Sequence, residues 1–594
     1  MVILVLKKIK KNKYYKTILF FIYEGMYLIL LETFNQNLIC NNANEKMLTE
    51  TILFNIVWIL TYLLMLIVLK PKVRKIFNAI FNSMILLFAL VNYFLTSYFG
   101  TIFSWKDLFL SNEGLSFVSS IYKFISLELI LFILICITMN VLMFKTKTIQ
   151  LFNLTKKSIL IVIIVLIGLL TTRHKVKNNF SKVVDGWNSQ EVLSSYSYYY
   201  TNWIEPTKLL KICGGYEYLI RDFYFSFIKK EDVLKAKSEV EDYIKNNNIK
   251  ENNEYTGIFK DKNLIFIMME SMDDWLINEE TTPTIYEMMQ HGFNFNNHYS
   301  PGYVTGDTAN TEFIANTGVY PYINKLSPNY AYVNNYYPYS IANLFKNNNY
   351  IVNSFHRSNG FIYNRENMHI SLGYEKYYNY SEMGISADNL DLDTYIIRDG
   401  YKYIVNEEKF MSFIITYSPH SPYTYDKIEC QTNLEEIKKI YPEETNEEIL
   451  CAYSSARETD NMFKLLLEKL EQENLLKDTV IVAFSDHPNR ILINEYETET
   501  LNKTSFFIYE SSMNSNQIYD ITSTINILPT IINLFGIETD YVYPGYDAIV
   551  NNENYVVFKD YTYYDGKEIK RINDEMNEKL QYSFNILVSD YYKQ

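Results

Sequence analysis

Five apolar runs separated by lysine clusters fill the first third of the chain, and a sequence of that kind has few folds open to it. The runs are Thr17–Leu31, Thr51–Leu69, Ile76–Phe99, Ile121–Phe144 and Ile159–Thr172. The second, third and fourth are near the ~20 residues needed to cross a hydrocarbon core about 30 Å thick. The first carries Glu24 and Glu32, and the fifth is short. Each of those two is a poorer span taken alone, but five runs in succession read as a five-helix transmembrane domain, not as buried helices of a globular core. A cleaved signal peptide does not fit the N-terminus, because no small-residue cleavage site follows an isolated apolar core.

The flanking charges set the expected orientation. Lys7, Lys8, Lys10, Lys11, Lys13 and Lys16 precede the first run; Lys70, Lys72, Arg74 and Lys75 lie between the second and third; Lys145, Lys147, Lys156 and Lys157 lie between the fourth and fifth. The other two loops hold one lysine each, Lys46 and Lys106. By the positive-inside bias the N-terminus is cytoplasmic and everything after the fifth run is outside, in a multi-pass cell-membrane protein. A net charge of −13 over 594 residues argues against a general nucleic-acid binder. Five cysteines at 40, 136, 213, 430 and 451 fit no metal-binding spacing. Cys430 and Cys451 are able to pair in an oxidising exterior, but spacing does not fix whether they do.

Three segments follow. Residues 1–172 are the membrane domain and 173–260 a juxtamembrane helical connector. The connector holds the aromatic SSYSYYYTNW (Ser194–Trp203), suited either to a membrane interface or to an ordinary surface, and a charged helical pattern. From 261 to 594 short apolar runs alternate with helical patterns, the mark of an α/β domain with a largely parallel sheet. Asn263–Glu270, Tyr350–His356, Phe410–His420 and Thr479–His487 read as buried strands, and Thr459–Leu476 as the helix before the last. Ligands in such sheets bind beyond the carboxyl ends of the strands. The pattern therefore delivers Glu270, His356, His420, Asp486 and His487 to one edge.

Glu270, Asp486 and His487 form a carboxylate–imidazole set suited to a divalent ion such as Mn²⁺ or Zn²⁺. Singly, each is equally an ordinary polar residue ending a strand. Thr308, in the small polar stretch SPGYVTGDTANTEF, is open to two compatible readings. It caps the helix of ANTEFIAN, with Glu312 near the first turn, or it is a nucleophile whose hydroxyl proton a metal or base removes.

Together IMMES at Glu270, GDTANTEF at Thr308, NRE at Asn364–Glu366, SPHSPY at Ser418–Tyr423 and SDHP at Ser485–Pro488 resemble the lipoteichoic acid synthase family, within the sulfatase and alkaline-phosphatase-like superfamily. The segment Thr522–Glu538 resembles a late helix of that superfamily. The resemblance implies an extracellular sulfatase-like catalytic domain at 261–594. It implies a metal site of Glu270, Thr308, Asp486 and His487 around one divalent ion, Mn²⁺ in the first place and Zn²⁺ or Mg²⁺ otherwise. Thr308 is then the catalytic nucleophile that takes glycerol phosphate from phosphatidylglycerol and hands it to a polyglycerolphosphate or glycolipid acceptor. His356, Arg365 and His420 are the implied substrate-binding residues. Two positions depart from the family pattern: Asp307 stands where a basic residue is usual, and Tyr363 where a tryptophan is usual. A phosphoethanolamine-type transferase, a sulfatase-like hydrolase and a catalytically inactive polymer-binding protein remain the alternatives.

Overall fold

The computed structural model describes residues 15–39, 48–99, 102–110, 124–149, 156–179, 200, 206–229, 232–247, 252–301, 308–321, 328–406, 408–489, 491, 502–550, 554–558 and 562–593. The chain divides into two compact units, Met1–Lys230 and Glu231–Gln594.

The first unit is helical: α1 (Tyr15–Ile39), α2 (Thr49–Val68), α3 (Pro71–Phe99), α4 (Leu127–Lys145), α5 (Lys156–Asn179) and α6 (Pro206–Phe223). Among the described residues, four helices are long and apolar enough to cross a membrane, and they are α1 to α4. The fifth expected span falls within α5, where the side chains of residues 156–162, 165–166 and 177–179 lie outside the described set. Leu127, Leu131, Leu134 and Ile135 of α4 face outward, an apolar surface that suits hydrocarbon and not water.

The polar residues of these helices turn inward. Glu24 of α1 accepts hydrogen bonds from Asn78 Nδ2 (2.7 Å) and Asn82 Nδ2 (3.0 Å) of α3. Arg74 donates to the carbonyls of Leu66, Ile67 and Leu69, satisfying the acceptors that the end of α2 leaves without partners. Helix α6 breaks at Gly214 (φ 75°, ψ 165°), and the amide of Gly215 freed by the break donates to both oxygens of Glu32, at 3.2 and 3.0 Å. The first part of the connector segment thus belongs to the helical unit. Of SSYSYYYTNW only Tyr200 lies within the described residues.

The second unit is built on a nine-stranded sheet of β1 (Asn263–Met269), β2 (Gly292–Tyr299), β3 (Ile351–His356), β4 (Lys376–Tyr378), β5 (Phe410–Ile415), β6 (Thr479–Ser485), β7 (Lys503–Thr504), β8 (Phe506–Tyr509) and β9 (Ser515–Ser523). Its order is β4-β3-β5-β1-β6-β8-β2-β7, with β9 pairing β2. The first five strands are parallel; β8 pairs antiparallel with β6 and with β2. The sheet is therefore mixed: the expected parallel core carries an extension whose strands do not read as apolar runs. β2 is GFNFNNHY and β9 is SNQIYDITS, so polar residues interrupt the apolar run that marks a buried parallel strand.

Alternation along β1 shows how the sheet builds two cores. Leu264, Phe266 and Met268 enter one apolar cluster, which includes Ile527, Leu528 and Ile531. Ile265, Ile267 and Met269 enter another, with Met462, Phe463 and Leu466. The helices of this unit are α7 (Val233–Asn247), α8 (Thr308–Thr317), α9 (Arg365–Leu372), α10 (Thr394–Ile404), α11 (Glu447–Gln472), α12 (Ile527–Phe535) and α13 (Asp574–Ser589), besides shorter turns. Helices thus cover both faces of the sheet, as a strand buried on both sides demands. α11 starts well before the expected Thr459, because Asn446 caps it by accepting from the Glu448 amide. α7 joins this unit through its packing on α13, where Tyr243 stacks on Tyr582 at 4.0 Å. A disulfide links Cys430 and Cys451, 21 residues apart in sequence, so the pairing that spacing left open is present.

Candidate active site

Register places the two carboxylates side by side. Met269 of β1 is the partner of Ser485 of β6, so the next residues, Glu270 and Asp486, leave adjacent parallel strands together. The Asp486 amide still donates to Met269 O (3.0 Å), which extends the ladder one step past the strand end. Two carboxylates one strand spacing apart, about 4.8 Å, repel each other and need compensation.

Neighbouring backbone and hydroxyl groups supply part of it. Ser271, a non-glycine residue at φ 48°, turns its amide onto Asp486 Oδ1 (2.8 Å) and its hydroxyl onto Glu270 Oε1 (2.8 Å). A left-handed residue of this kind persists only where its surroundings hold it. The His487 amide also donates to Asp486 Oδ1 (2.7 Å). Asp486 Oδ2 is buried and, among the described residues, accepts no hydrogen bond within ordinary geometry. Burial first, and the Glu270 charge next, push the Asp486 carboxyl up to about 7.

His487 completes the group. With Nδ1–H donating to Pro488 O (3.0 Å), Nε2 faces the carboxylates, 3.3 Å from Asp486 Oδ2 and 3.6 Å from Glu270 Oε1. Ligand atoms of Glu270, Asp486 and His487 all lie within 4.8 Å of one another. Fixing the outer ring nitrogen in this way is how proteins orient an imidazole ligand. Two buried carboxylates and an imidazole nitrogen converging on one point, one of the carboxyls destabilised by its neighbour, are what a divalent cation would relieve, so the residues fit such an ion.

Thr308 meets the same point from another direction. It is the first residue of α8, and its Oγ1 lies 3.3 Å from His487 Nε2. The helix is docked there by Thr311, whose hydroxyl donates to Asp486 O (2.8 Å); Ser300 donates to the same carbonyl (2.9 Å). Asp307, the neighbour that departs from the family pattern, lies outside the described residues.

The three expected substrate residues occupy the β3–β5 side. His356 ends β3, in register with Ile415 of β5, and its Nδ1 contacts Ile415 O at 2.9 Å. Burial, and then the charge of Arg365, hold its imidazole well below the usual range. His420 stacks on Tyr417 and donates through Nδ1 to Ser421 O. Burial lowers it to about 4, so it is neutral at pH 7 with Nε2 bare. Arg365 begins α9 and is buried, with its Nε on Glu312 Oε2 at 2.9 Å. Glu312, which reads in sequence as an ordinary first-turn residue, is thus the partner of a site arginine, and His369 donates to its other oxygen. The available signal is the spacing: Glu312 falls four residues after Thr308, and His369 four after Arg365, each pair on one helix face. Ser271 and Thr416, whose hydroxyl accepts from the Glu270 amide (2.9 Å), have no comparable sequence signal.

The family model described as "Sulfatase" matches residues 262–537. A lipoteichoic acid synthase of Staphylococcus saprophyticus is 24% identical over 414 residues, covering 62% of this chain and 62% of that protein. Lipoteichoic acid synthase 2 of Bacillus subtilis is 23% identical over 420 residues, covering 63% of each. The chain thus spans less than two thirds of the length of these curated relatives. Among solved structures, the lipoteichoic acid synthase LtaP of Listeria monocytogenes covers 60% of this chain and 97% of its own, at 21% identity and a TM-score of 0.48. The second unit is thus similar to the sulfatase family over residues 262–537, and lipoteichoic acid synthases are among the proteins the chain resembles.

Proposed function

We propose that the chain is a membrane-anchored phosphotransferase that works on the outer face of the cell membrane through a covalent Thr308 intermediate. The observation that carries this is the Thr308 hydroxyl, set 3.3 Å from His487 Nε2 at the start of a helix and beside two buried carboxylates. A helix N-terminus with a hydroxyl at its first position favours an anionic phosphoryl group. The names of the relatives favour phosphatidylglycerol as donor and a polyglycerolphosphate or glycolipid hydroxyl as acceptor. The Cys430–Cys451 bridge supports an oxidising compartment for this unit, in agreement with the lysine distribution.

A divalent ion held by Glu270, Asp486, His487 and Thr308, Mn²⁺ by family resemblance, would lower the pKa of the threonine hydroxyl and offset phosphoryl charge. In the first step Thr308 Oγ1 bonds to phosphorus as the bond from phosphorus to the diacylglycerol oxygen breaks, and the proton given up by the threonine hydroxyl ends on that oxygen, which leaves as the alcohol. In the second step the acceptor hydroxyl gives its proton to Nε2 of His420 and bonds to phosphorus, the bond to Thr308 breaks, and the proton held by His420 restores the threonine hydroxyl. His420 is suited to this because it is neutral before the step. Arg365 holds phosphoryl oxygens by charge-assisted hydrogen bonds.

Purified full-length protein with Mn²⁺ and labelled phosphatidylglycerol is expected to release diacylglycerol. Thr308→Ala is expected to lower the rate on the order of 10³-fold or more. Mass spectrometry of a trapped Thr308 adduct identifies the transferred group, glycerol phosphate or phosphoethanolamine. Undiminished activity of Thr308→Ala rules out the covalent role.

A further inference from the structure

Two one-turn pairs on two helices meet at a single carboxylate. On α8, Thr308 and Glu312 are four residues apart, and on α9, Arg365 and His369 are. Glu312 is 2% exposed and uses its oxygens separately. Oε2 accepts from Arg365 Nε at 2.9 Å, and Oε1 accepts from His369 Nε2. Burial would raise this carboxyl, yet the charges of Arg365 and His369 hold it below its ordinary value.

The Arg365 guanidinium is held by its Nε edge alone: among the described residues no hydrogen bond from Nη1 or Nη2 is present. The backbone before it is constrained too. Tyr363 (φ 59°) and Asn364 (φ 51°) are consecutive non-glycine residues in the left-handed region, and Asn364 Nδ2 is tied to Asn329 O at 2.9 Å. Left-handed side-chain-bearing residues persist where the fold over-determines them, and they concentrate at ligand clamps. An ion pair made only for stability has no need to leave both terminal nitrogens of the arginine unused when its carboxylate partner stands one helical turn from Thr308.

We propose that Glu312 is a positioning residue, which grips Arg365 by its Nε edge so that both Nη donors are presented to an anionic group bound beside Thr308. The identification of that anion with a phosphoryl group rests on the phosphotransferase reading; the positioning itself does not.

Inorganic phosphate serves as the probe, titrated calorimetrically into Mn²⁺-loaded, detergent-solubilised full-length protein. Glu312→Gln keeps the shape but loses the charge, and is expected to weaken phosphate binding about tenfold, the loss of one charge-assisted contact. Arg365→Ala is expected to weaken it at least as much, and Glu312→Gln in the Arg365→Ala background to add nothing further. Tyr374→Phe is the structural control. Its hydroxyl donates to Asn316 Oδ1 (2.6 Å) on the same helix, so the variant lowers Tm while leaving phosphate affinity as in wild type. Equal affinity of Glu312→Gln and wild type overturns the proposal, as does an effect that persists undiminished without Arg365. So does a loss of affinity that merely follows Tm across Glu312→Gln and Tyr374→Phe. Should Glu312→Gln not accumulate, Glu312→Asp, with the charge withdrawn by one methylene, takes its place under the same criteria. A wild type that binds phosphate through Arg365 but releases no diacylglycerol refutes the phosphotransferase reading and leaves the positioning role standing.

Discussion

Asp486→Asn should stabilise the metal-stripped protein while abolishing its response to metal. Asp486 Oδ1 already accepts two amides, from Ser271 and His487, and an asparagine oxygen keeps both. The new Nδ2 would stand where Oδ2 now lies, 3.3 Å from His487 Nε2, as a neutral group in place of a buried charge. Burial and Glu270 lift the carboxyl from 3.8 to about 7. At 1.36 kcal/mol per pH unit, that is a penalty of roughly 4 kcal/mol on the ionised form as an upper bound. Relaxation of the site reduces the expected gain to about 2 kcal/mol. For a unit of roughly 360 residues, with an unfolding entropy of about 2.1 cal/mol/K per residue, this is a Tm increase of about 3 °C.

The sign of the pH dependence follows from the raised value. Wild type is at no disadvantage below pH 3.8, loses stability as pH rises toward 7, and carries the full penalty above it. The gap between variant and wild type therefore opens from about pH 4 to pH 8. The assay is thermal unfolding of detergent-solubilised full-length protein in chelator, repeated with Mn²⁺. At a hundredfold excess over its dissociation constant, a bound ion adds about 2.7 kcal/mol to wild type; the variant gains far less, and the order of stability reverses. An Asp486→Asn protein less stable than wild type in chelator at pH 8 would refute the reasoning, as would a wild-type Tm indifferent to Mn²⁺.

Two other outcomes follow from the same unit. Cys430→Ser opens a loop of 21 residues and should cost about 3 kcal/mol by the chain-entropy relation, read from chemical unfolding with and without reductant. His298 is wholly buried, and burial holds its imidazole down to about 3. It therefore stays neutral in the native state while the unfolded chain gains a proton below 6.5, so wild type loses stability as pH falls from 6.5 toward 3. His298→Asn should flatten that slope by about 2 kcal/mol between pH 6.5 and 4, whatever it does to stability at neutral pH; an unchanged slope in unfolding midpoints refutes the assignment.

What could be read without coordinates followed from burial. β1, β5 and β6 are buried at every position, so their sequences are dominated by apolar residues, and the charged residue that follows such a run marks the sheet edge. Glu270, Asp486 and His487 were visible for that reason. β2 and β9 were not, because both carry asparagine or serine as loops do: β9 is partly exposed, and the buried Asn294 and His298 of β2 find polar partners in Gln517 and Thr522 of β9. Glu312 was hidden for a different cause. Its partners Arg365 and His369 lie 53 and 57 positions away, and a buried glutamate on an otherwise ordinary helix looks like a solvated one until the fold supplies the counter-charge. In α6 the pair Gly214–Gly215 sits inside a helical pattern, and only the Glu32 carboxylate facing it shows that the break is capped.

That cap has a bearing on how the protein is made. Glu32 and Gly215 are 183 residues apart, so at about 5–20 residues per second the ribosome needs roughly 10–40 s to synthesise the donor after the carboxylate has entered the membrane. Throughout that interval Glu32 has side-chain partners only from the first two helices, Gln36 at 2.9 Å and Asn55. When α6 arrives it must bring glycine at 214, because a Cβ there would stand 2.4 Å from Asn55 Oδ1. The final seating of α6 is therefore a late, post-insertion event. Chains interrupted before residue 215 leave a first helix whose buried carboxyl group lacks its capping amide.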